Sequence, residues 1–246
     1  MIKLLTDRQP DVPDDTPFGC KIRSAAAAYG LHEPFEQFWV QDGGTIIAKI
    51  DNEAVLAEGE HTDMEELAAF LKTLDLQDLA CTEETAKDLG LPYNAQGEIM
   101  VLRPENIVRS TYADTVMNPG PREIYALLEQ AKSESFPVPE FEPFYMDLAF
   151  RTRHGAAMTA GVRQGGRLAA CALCSAITDN AAVISAVACV PGLRRRGYAS
   201  TAVSFLAEKL NRGKLFIFRA KGENEAFYQS LGFEHYGEWA SVKGRE

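Results

Sequence analysis

Val190-Pro191-Gly192-Leu193-Arg194-Arg195-Arg196-Gly197-Tyr198-Ala199 is the stretch on which the reading of this chain turns. Residues 181–190, running into it, contain no charged side chain and read as a buried strand. After it, Ala199, Ala202, Val203, Leu206 and Leu210 recur at helical spacing. A strand, a glycine-containing turn and a helix start make an anion site, because free backbone N–H groups converge there and the helix dipole adds positive potential. Gly197 lets the backbone approach a phosphate closely, and Ala199 leaves room at the first turn. The three arginines add charge that persists at any physiological pH. No GxxxxGK[ST] occurs in the chain and the full G-x-G-x-x-G spacing is absent here, so two common phosphate loops are excluded.

Length and composition set the frame around that site. The 246 residues, 46% hydrophobic and 24% charged, are those of a globular protein of one or two domains. Thirty-five acids against 25 bases give a net charge of −10, which argues against a nucleic-acid partner, since phosphate neutralisation needs a concentrated basic surface. The charge is unevenly shared. Residues 1–120 carry 22 acids and 9 bases, a net of −13, whereas residues 121–246 carry 13 and 16, a net of +3. Asn118-Pro119-Gly120-Pro121 interrupts any helix or central strand at the same place, and Pro121 suits the start of a new helix. The expected boundary therefore falls at 105–120, with domains 1–115 and 116–246.

Five cysteines (Cys20, Cys81, Cys171, Cys174, Cys189), mostly among apolar neighbours, read as reduced, buried thiols. Cys171 and Cys174 have CxxC spacing but lie in an apolar run whose positions i and i+3 point to opposite faces, so no shared metal is expected. His154 and His235 have no companions at ligand spacing, and the expectation is no metal. The amino-terminal residues lack the apolar core of a signal peptide, and the longest apolar stretch, 168–177, is about half a membrane span. The expectation is a soluble, cytoplasmic protein without a membrane partner.

Both halves follow one order of elements. In the first, the pattern predicts a helix at 23–29, strands at 37–41, 45–50 and 54–57, and a helix opened by Thr62 with Glu65 completing a capping box. A strand at 79–81, a short helix from Glu83 and a strand at 98–102 follow. In the second, helices at 122–131 and 144–150 precede strands at 157–162, 168–177 and 181–190. The arginine loop leads into a helix with Gly213 as its cap, then a strand at 215–218, a helix at 224–230 and a closing strand after Gly232-Phe233. The fold class is α/β (α+β): two tandem units, each a mixed, mostly antiparallel sheet flanked by helices.

The pattern R-x-x-G-x-A at Arg194, Gly197 and Ala199, preceded by Val190-Pro191, resembles the signature of the GNAT superfamily of acyl-CoA-dependent N-acetyltransferases. Asn224-Glu-Ala-Phe-Tyr-Gln-Ser-Leu-Gly-Phe233 resembles the same family's Asn…Ala…Phe-Tyr…Leu-Gly-Phe segment, and the resemblance covers roughly 121–246. It implies that amides from Arg195 to Ser200, thus Arg195, Arg196, Gly197, Tyr198, Ala199 and Ser200, hold the pyrophosphate of acetyl-CoA beside Arg194. The backbone of Cys189 and Val190 would pair with the pantetheine arm where the strands splay. Asn224 would contact the same arm, sharing a helix face with Tyr228 at i, i+4, with Phe227 on the neighbouring face. Tyr228 would sit near the sulfur as general acid, or else pack as an ordinary core tyrosine. No metal is required.

The resemblance implies an N-acetyltransferase acting by direct attack of a primary amine on acetyl-CoA, with the carbonyl polarised by a backbone N–H near Val190. Many members of that family place a glutamate on the strand before the loop; residues 181–190 have no carboxylate and no histidine, which leaves Glu140, Glu142, Asp147, His154 or an amine arriving neutral. That gap favours an alternative, a non-catalytic acyl-CoA-binding module whose acidic first half is an interaction surface. The first half resembles the degenerate amino-terminal unit of tandem GNAT proteins. In place of an arginine loop it carries Glu58, Glu60, Asp63 and Glu65, which would repel a pyrophosphate. The acceptor is expected to be a small molecule or peptide, and a homodimer is left open.

Overall fold

The computed structural model describes residues 1–109, 114–133 and 136–243. In chain order the elements are β1 (Ile2–Leu4), α1 (Pro17–Tyr29), β2 (Glu36–Gln41), β3 (Ile46–Ile50), β4 (Glu53–Ala57), α2 (Met64–Leu71), β5 (Asp78–Thr82), α3 (Glu83–Leu89) and β6 (Tyr93–Leu102). Then come β7 (Thr115–Met117), α4 (Pro121–Ala131), α5 (Phe141–Arg153), β8 (Met158–Gln164), β9 (Arg167–Ile177), β10 (Ala181–Cys189), α6 (Tyr198–Leu210), β11 (Lys214–Ala220), α7 (Glu225–Ser230) and β12 (Glu234–Lys243).

The chain forms two compact units. One holds Met1–Ile99, Phe218–Glu223 and the segment from His235; the other holds Met100–Ile217 and Asn224–Glu234. A single cut between 115 and 116 does not describe this division. The junction moves to 99/100 inside β6, and the carboxyl-terminal strand joins the first unit. The physical reason is a strand ladder: β12 pairs antiparallel with β5, from Trp239↔Thr82 to Lys243↔Asp78, and Ala240 and Val242 are buried in the first unit's core. Ser241 Oγ also donates to Asp78 Oδ1 at 2.6 Å. Residues 110–113 of the expected junction lie outside the described residues.

Within the first unit β1 to β4 form successive antiparallel pairs, and β4 pairs parallel with β5. A parallel neighbour needs a crossover, and α2 supplies it. Leu67 and Leu71 of α2 are buried on Ile47, Leu56 and Leu79. Asp63 caps α2, its side chain accepting from Glu66 N–H, whereas Thr62 bonds Thr45 instead of capping. The reciprocal bond of a capping box is not made, because Asp63 N–H donates to Gln41 Oε1 and Glu66 accepts from Ile2 N–H and Gln41 Nε2. Helix α1 starts at Pro17, earlier than expected, with Thr16 as its cap.

The second unit repeats the plan. β7, β8, β9 and β10 pair antiparallel in turn, and β10 pairs parallel with β11 through the crossover helix α6. Gly165 and Gly166 both have positive φ (58° and 79°), the conformation that a two-residue hairpin turn requires. One sheet face packs on α6 through Ala202, Val203, Leu206 and Leu210, and the other on α4 and α5 through Ile124, Leu127 and Leu148. Cys174 belongs to the first cluster and Cys171 to the second, so the CxxC sulfurs do lie on opposite faces. Helix α5 runs well beyond 144–150. Asn211, left-handed at φ 46°, ends α6, a role expected of Gly213.

Candidate functional site

Strand β10 carries the site. Its parallel ladder with β11 runs from Ala181↔Lys214 to Ile184↔Ile217 and stops, while its antiparallel ladder with β9 continues to Cys189↔Ala170. The register with β9 shifts between Ile184 and Ala186, so Ser185 is an inserted, exposed residue where β10 leaves β11. A bulge bends and twists a strand, and here it turns the distal half of β10 away from its parallel partner. Ser185 was not among the expected site residues, although it is the one polar side chain in 181–190. Its Oγ donates to Leu173 O at 3.3 Å.

The register decides which amides face the open edge. Val190 N–H donates to Ala169 O at 2.9 Å, and Val190 O accepts from Leu193 N–H at 2.8 Å. Both backbone groups of Val190 are thus engaged within the chain. Successive residues of a strand point their N–H groups to opposite edges, which directs those of Val187 and Cys189 to the edge that β11 has left. Cys189 is half-buried. Burial raises its thiol pKa, and the positive charge of Arg194 opposes that rise.

After β10 a single 3₁₀ turn, Pro191–Leu193, leads to the arginines. Arg194, Arg195 and Arg196 are exposed, and Arg195 is held at φ 63°. Gly197, at φ 85°, is the cap residue of α6, and no side chain bonds to the helix start. The first turn contains no acidic residue. The helix's own bonding begins with Thr201 N–H to Gly197 O at 2.9 Å, which leaves the N–H groups of Ala199 and Ser200 without an intrahelical acceptor. Tyr198, Ala199 and Ser200 are all half-buried. The loop thus gathers three guanidinium groups and an uncapped helix dipole beside the free edge of β10.

The second group of expected residues is placed differently. Asn224 is exposed and left-handed (φ 57°) as the cap of α7, so it does not share a helix face with Tyr228. Tyr228 is only 7% exposed and packs with Leu231 and Phe233, its ring edge-on to Phe233 at 5.5 Å and to Phe227 at 4.9 Å. Phe227 is half-buried against the same core.

The carboxylates and histidine considered as bases lie around α5. Asp147 accepts from Arg151 Nε at 2.8 Å, and Arg151, nearly buried, also donates to Ser175 O. His154 stacks on Phe150 at 4.0 Å, and its Nδ1 lies 2.9 Å from Phe150 O. Glu140 precedes the helix and Glu142 lies in its first turn, both exposed. Among the described residues no group of three or more His, Cys, Asp or Glu is arranged to hold a metal ion, and no helix is long and apolar enough to cross a membrane.

A mixed, mostly antiparallel sheet, helices on both faces and an uncapped helix after the splayed strand define an N-acetyltransferase-type α/β fold. Residues 122–233, a little under half of the chain, match the acetyltransferase (GNAT) family. The fold is shared with a GCN5-related N-acetyltransferase from Kribbella flavida (17% identity, 89% of this chain and 94% of that one, TM-score 0.63). It is shared as well with a tandem GNAT protein from the clavulanic acid biosynthesis pathway (14%, 91% and 88%, TM-score 0.61). A Drosophila protein is similar over 100% of this chain and 99% of its own, at 13% identity and TM-score 0.69. No curated protein matches the chain.

Proposed function

We propose that the protein is an N-acetyltransferase that moves the acetyl group of acetyl-CoA to a primary amine of a small molecule or peptide, by direct attack. The observation that carries this reading is the α6 start: a left-handed glycine, no capping side chain, no acid in the first turn and three arginines before it. An oxygen-rich dianion such as a pyrophosphate is what that arrangement accommodates best. The amides of Val187 and Cys189 on the free edge of β10 are oriented to hold the pantetheine arm and to polarise the thioester carbonyl. Holding both reactants in one geometry supplies several kcal/mol by removing the bimolecular entropy cost. Tyr228 serves as proton donor to the departing thiolate.

The base lies outside β10. Asp147 is engaged by Arg151, which leaves Glu140, Glu142 and His154 as freer candidates, or an amine that arrives neutral. A second reading has a specific support. The absence of any carboxylate or histidine on β10 suits a non-catalytic acyl-CoA-binding module whose acidic first unit is an interaction surface. Thiol release from acetyl-CoA, measured across a panel of amines, tests the choice: amine-dependent release establishes transfer, and tight CoA binding with no release on any amine establishes the module. The first unit is read as a degenerate GNAT-like domain that holds no CoA. All five cysteines are free thiols, which suits a reducing cytoplasm.

A further inference from the structure

The first unit has its own parallel pair, and this pair also opens. β4 and β5 are paired from Glu53↔Asp78 to Val55↔Ala80 and no further. A cavity of about 760 Å³ borders the ends of these strands, with Ala57 and Glu58 of one wall and Thr82, Glu83 and Glu84 of the other among its lining. Such a volume is in the range of small-molecule sites. The remaining lining is apolar or aromatic in large part, with Val12, Pro17, Phe18, Ile99 and Tyr236, and Glu238 and Lys87 also line it. Four carboxylates thus face one ammonium, and that ammonium is already paired with Glu83 at 3.0 Å.

Glu58 is held in place. Its Oε2 accepts from Thr85 Oγ1, and the fully buried Thr85 hydroxyl lies 2.6 Å from that of Thr82. These carboxylates disfavour a phosphate ligand. Apolar walls with an excess of negative charge suit a ligand of the opposite build.

We propose that this cavity binds an organic cation, a primary amine carried on an aromatic body, with the ammonium beside Glu58 and Glu238 and the ring against Phe18 and Tyr236. Aromatic faces add attraction for the same cation. This site is separate from the arginine loop and stands whether or not the second unit transfers acetyl groups.

Calorimetric titration of the full chain with tryptamine tests it, with tryptophol as the uncharged counterpart. Saturable one-to-one binding is expected, about tenfold weaker for tryptophol and weakened by added salt. Glu58→Gln combined with Glu238→Gln should weaken tryptamine about tenfold. Lys87→Glu, an exposed change that frees Glu83, should tighten it about threefold and serves if the double variant does not fold. Absence of saturable tryptamine binding, equal affinity for tryptophol, or insensitivity to both sets of variants would each overturn the proposal.

Discussion

Two helices in this chain follow the inner strand of a parallel pair, and their first turns are finished in opposite ways. Helix α2 has one orphan amide answered by its own cap, because Asp63 accepts from Glu66 N–H, and Glu65 and Glu66 lie in the first turn. Helix α6 has a left-handed glycine for a cap, no acid in its first turn and arginines ahead of it. The local topology is the same, strand–helix–parallel strand, yet one start carries an acidic cap and acids in its first turn and the other has neither. Fold repetition thus says little about ligand repetition; a few side chains at the crossover decide it. The same contrast marks the strand openings, with backbone amides and arginines beside β10 and carboxylates beside β4.

The sharpest way to break the comparison is to give α6 what α2 has. Gly197→Glu should abolish measurable CoA binding, because a carboxylate would compete for the amides that the pyrophosphate needs. The left-handed conformation adds strain of about 1–2 kcal/mol, so Gly197→Ala is the control for strain alone. Unchanged CoA affinity in a folded Gly197→Glu protein would remove the anion-site reading. Next in size is Tyr228→Phe. General acid catalysis is worth ~10²–10⁴-fold, so turnover should fall by about that factor with acetyl-CoA affinity within a few-fold. The 7% exposure of Tyr228 makes the opposite outcome informative: normal turnover would make it a packing residue.

How far the sequence revealed this contrast depends on range. The strand–loop–helix junction was legible because its parts are contiguous: an uncharged strand, Gly197 and a periodic helix within about thirty residues. The acidic character of the first crossover was legible for the same reason, since Glu58, Glu60 and Asp63 adjoin α2. The pairing of β12 with β5 was not, because it joins residues more than 150 positions apart and no local propensity encodes a distant partner. Asn224 shows a finer failure. Helical spacing to Tyr228 put both on one face, but asparagine tolerates left-handed backbone and became the cap instead. The start of α1 at Pro17 was readable from Thr16-Pro17, a capping residue followed by a proline at the first helical position.

A milder perturbation addresses the helix that carries its own cap. Asp63→Ala removes the cap of α2 and should cost about 1 kcal/mol of stability in urea denaturation. It should not create CoA binding, since Glu58, Glu60 and Glu65 remain around that helix start. CoA binding gained by a Gly197→Glu, Asp63→Ala protein would show that the cap alone separates the two units, and would make the surrounding carboxylates bystanders.

The smallest effect probes the open edge of β10 through its thiol. Cys189 is half-buried while Cys20, Cys81, Cys171 and Cys174 are buried, so iodoacetamide should modify Cys189 first. Burial pushes the thiols of Cys81 and Cys171 up to about 12, which keeps them protonated and inert at pH 8. Burial also raises the Cys189 pKa, and Arg194 partly offsets it. A raised pKa means less thiolate at pH 8 than in a free cysteine, so alkylation should be slow and should accelerate as pH rises. Arg194→Ala removes the charge that favours the thiolate, so the pKa climbs further and the rate at pH 8 should drop about two- to threefold. That difference should vanish at a pH above both values, where each thiol is ionised. Bound CoA should protect Cys189 in the unmodified protein, because its arm would lie along the same edge. Alkylation of Cys189 at an equal rate with and without saturating CoA would place the cofactor elsewhere, and the two crossovers would no longer differ in the ligand they admit.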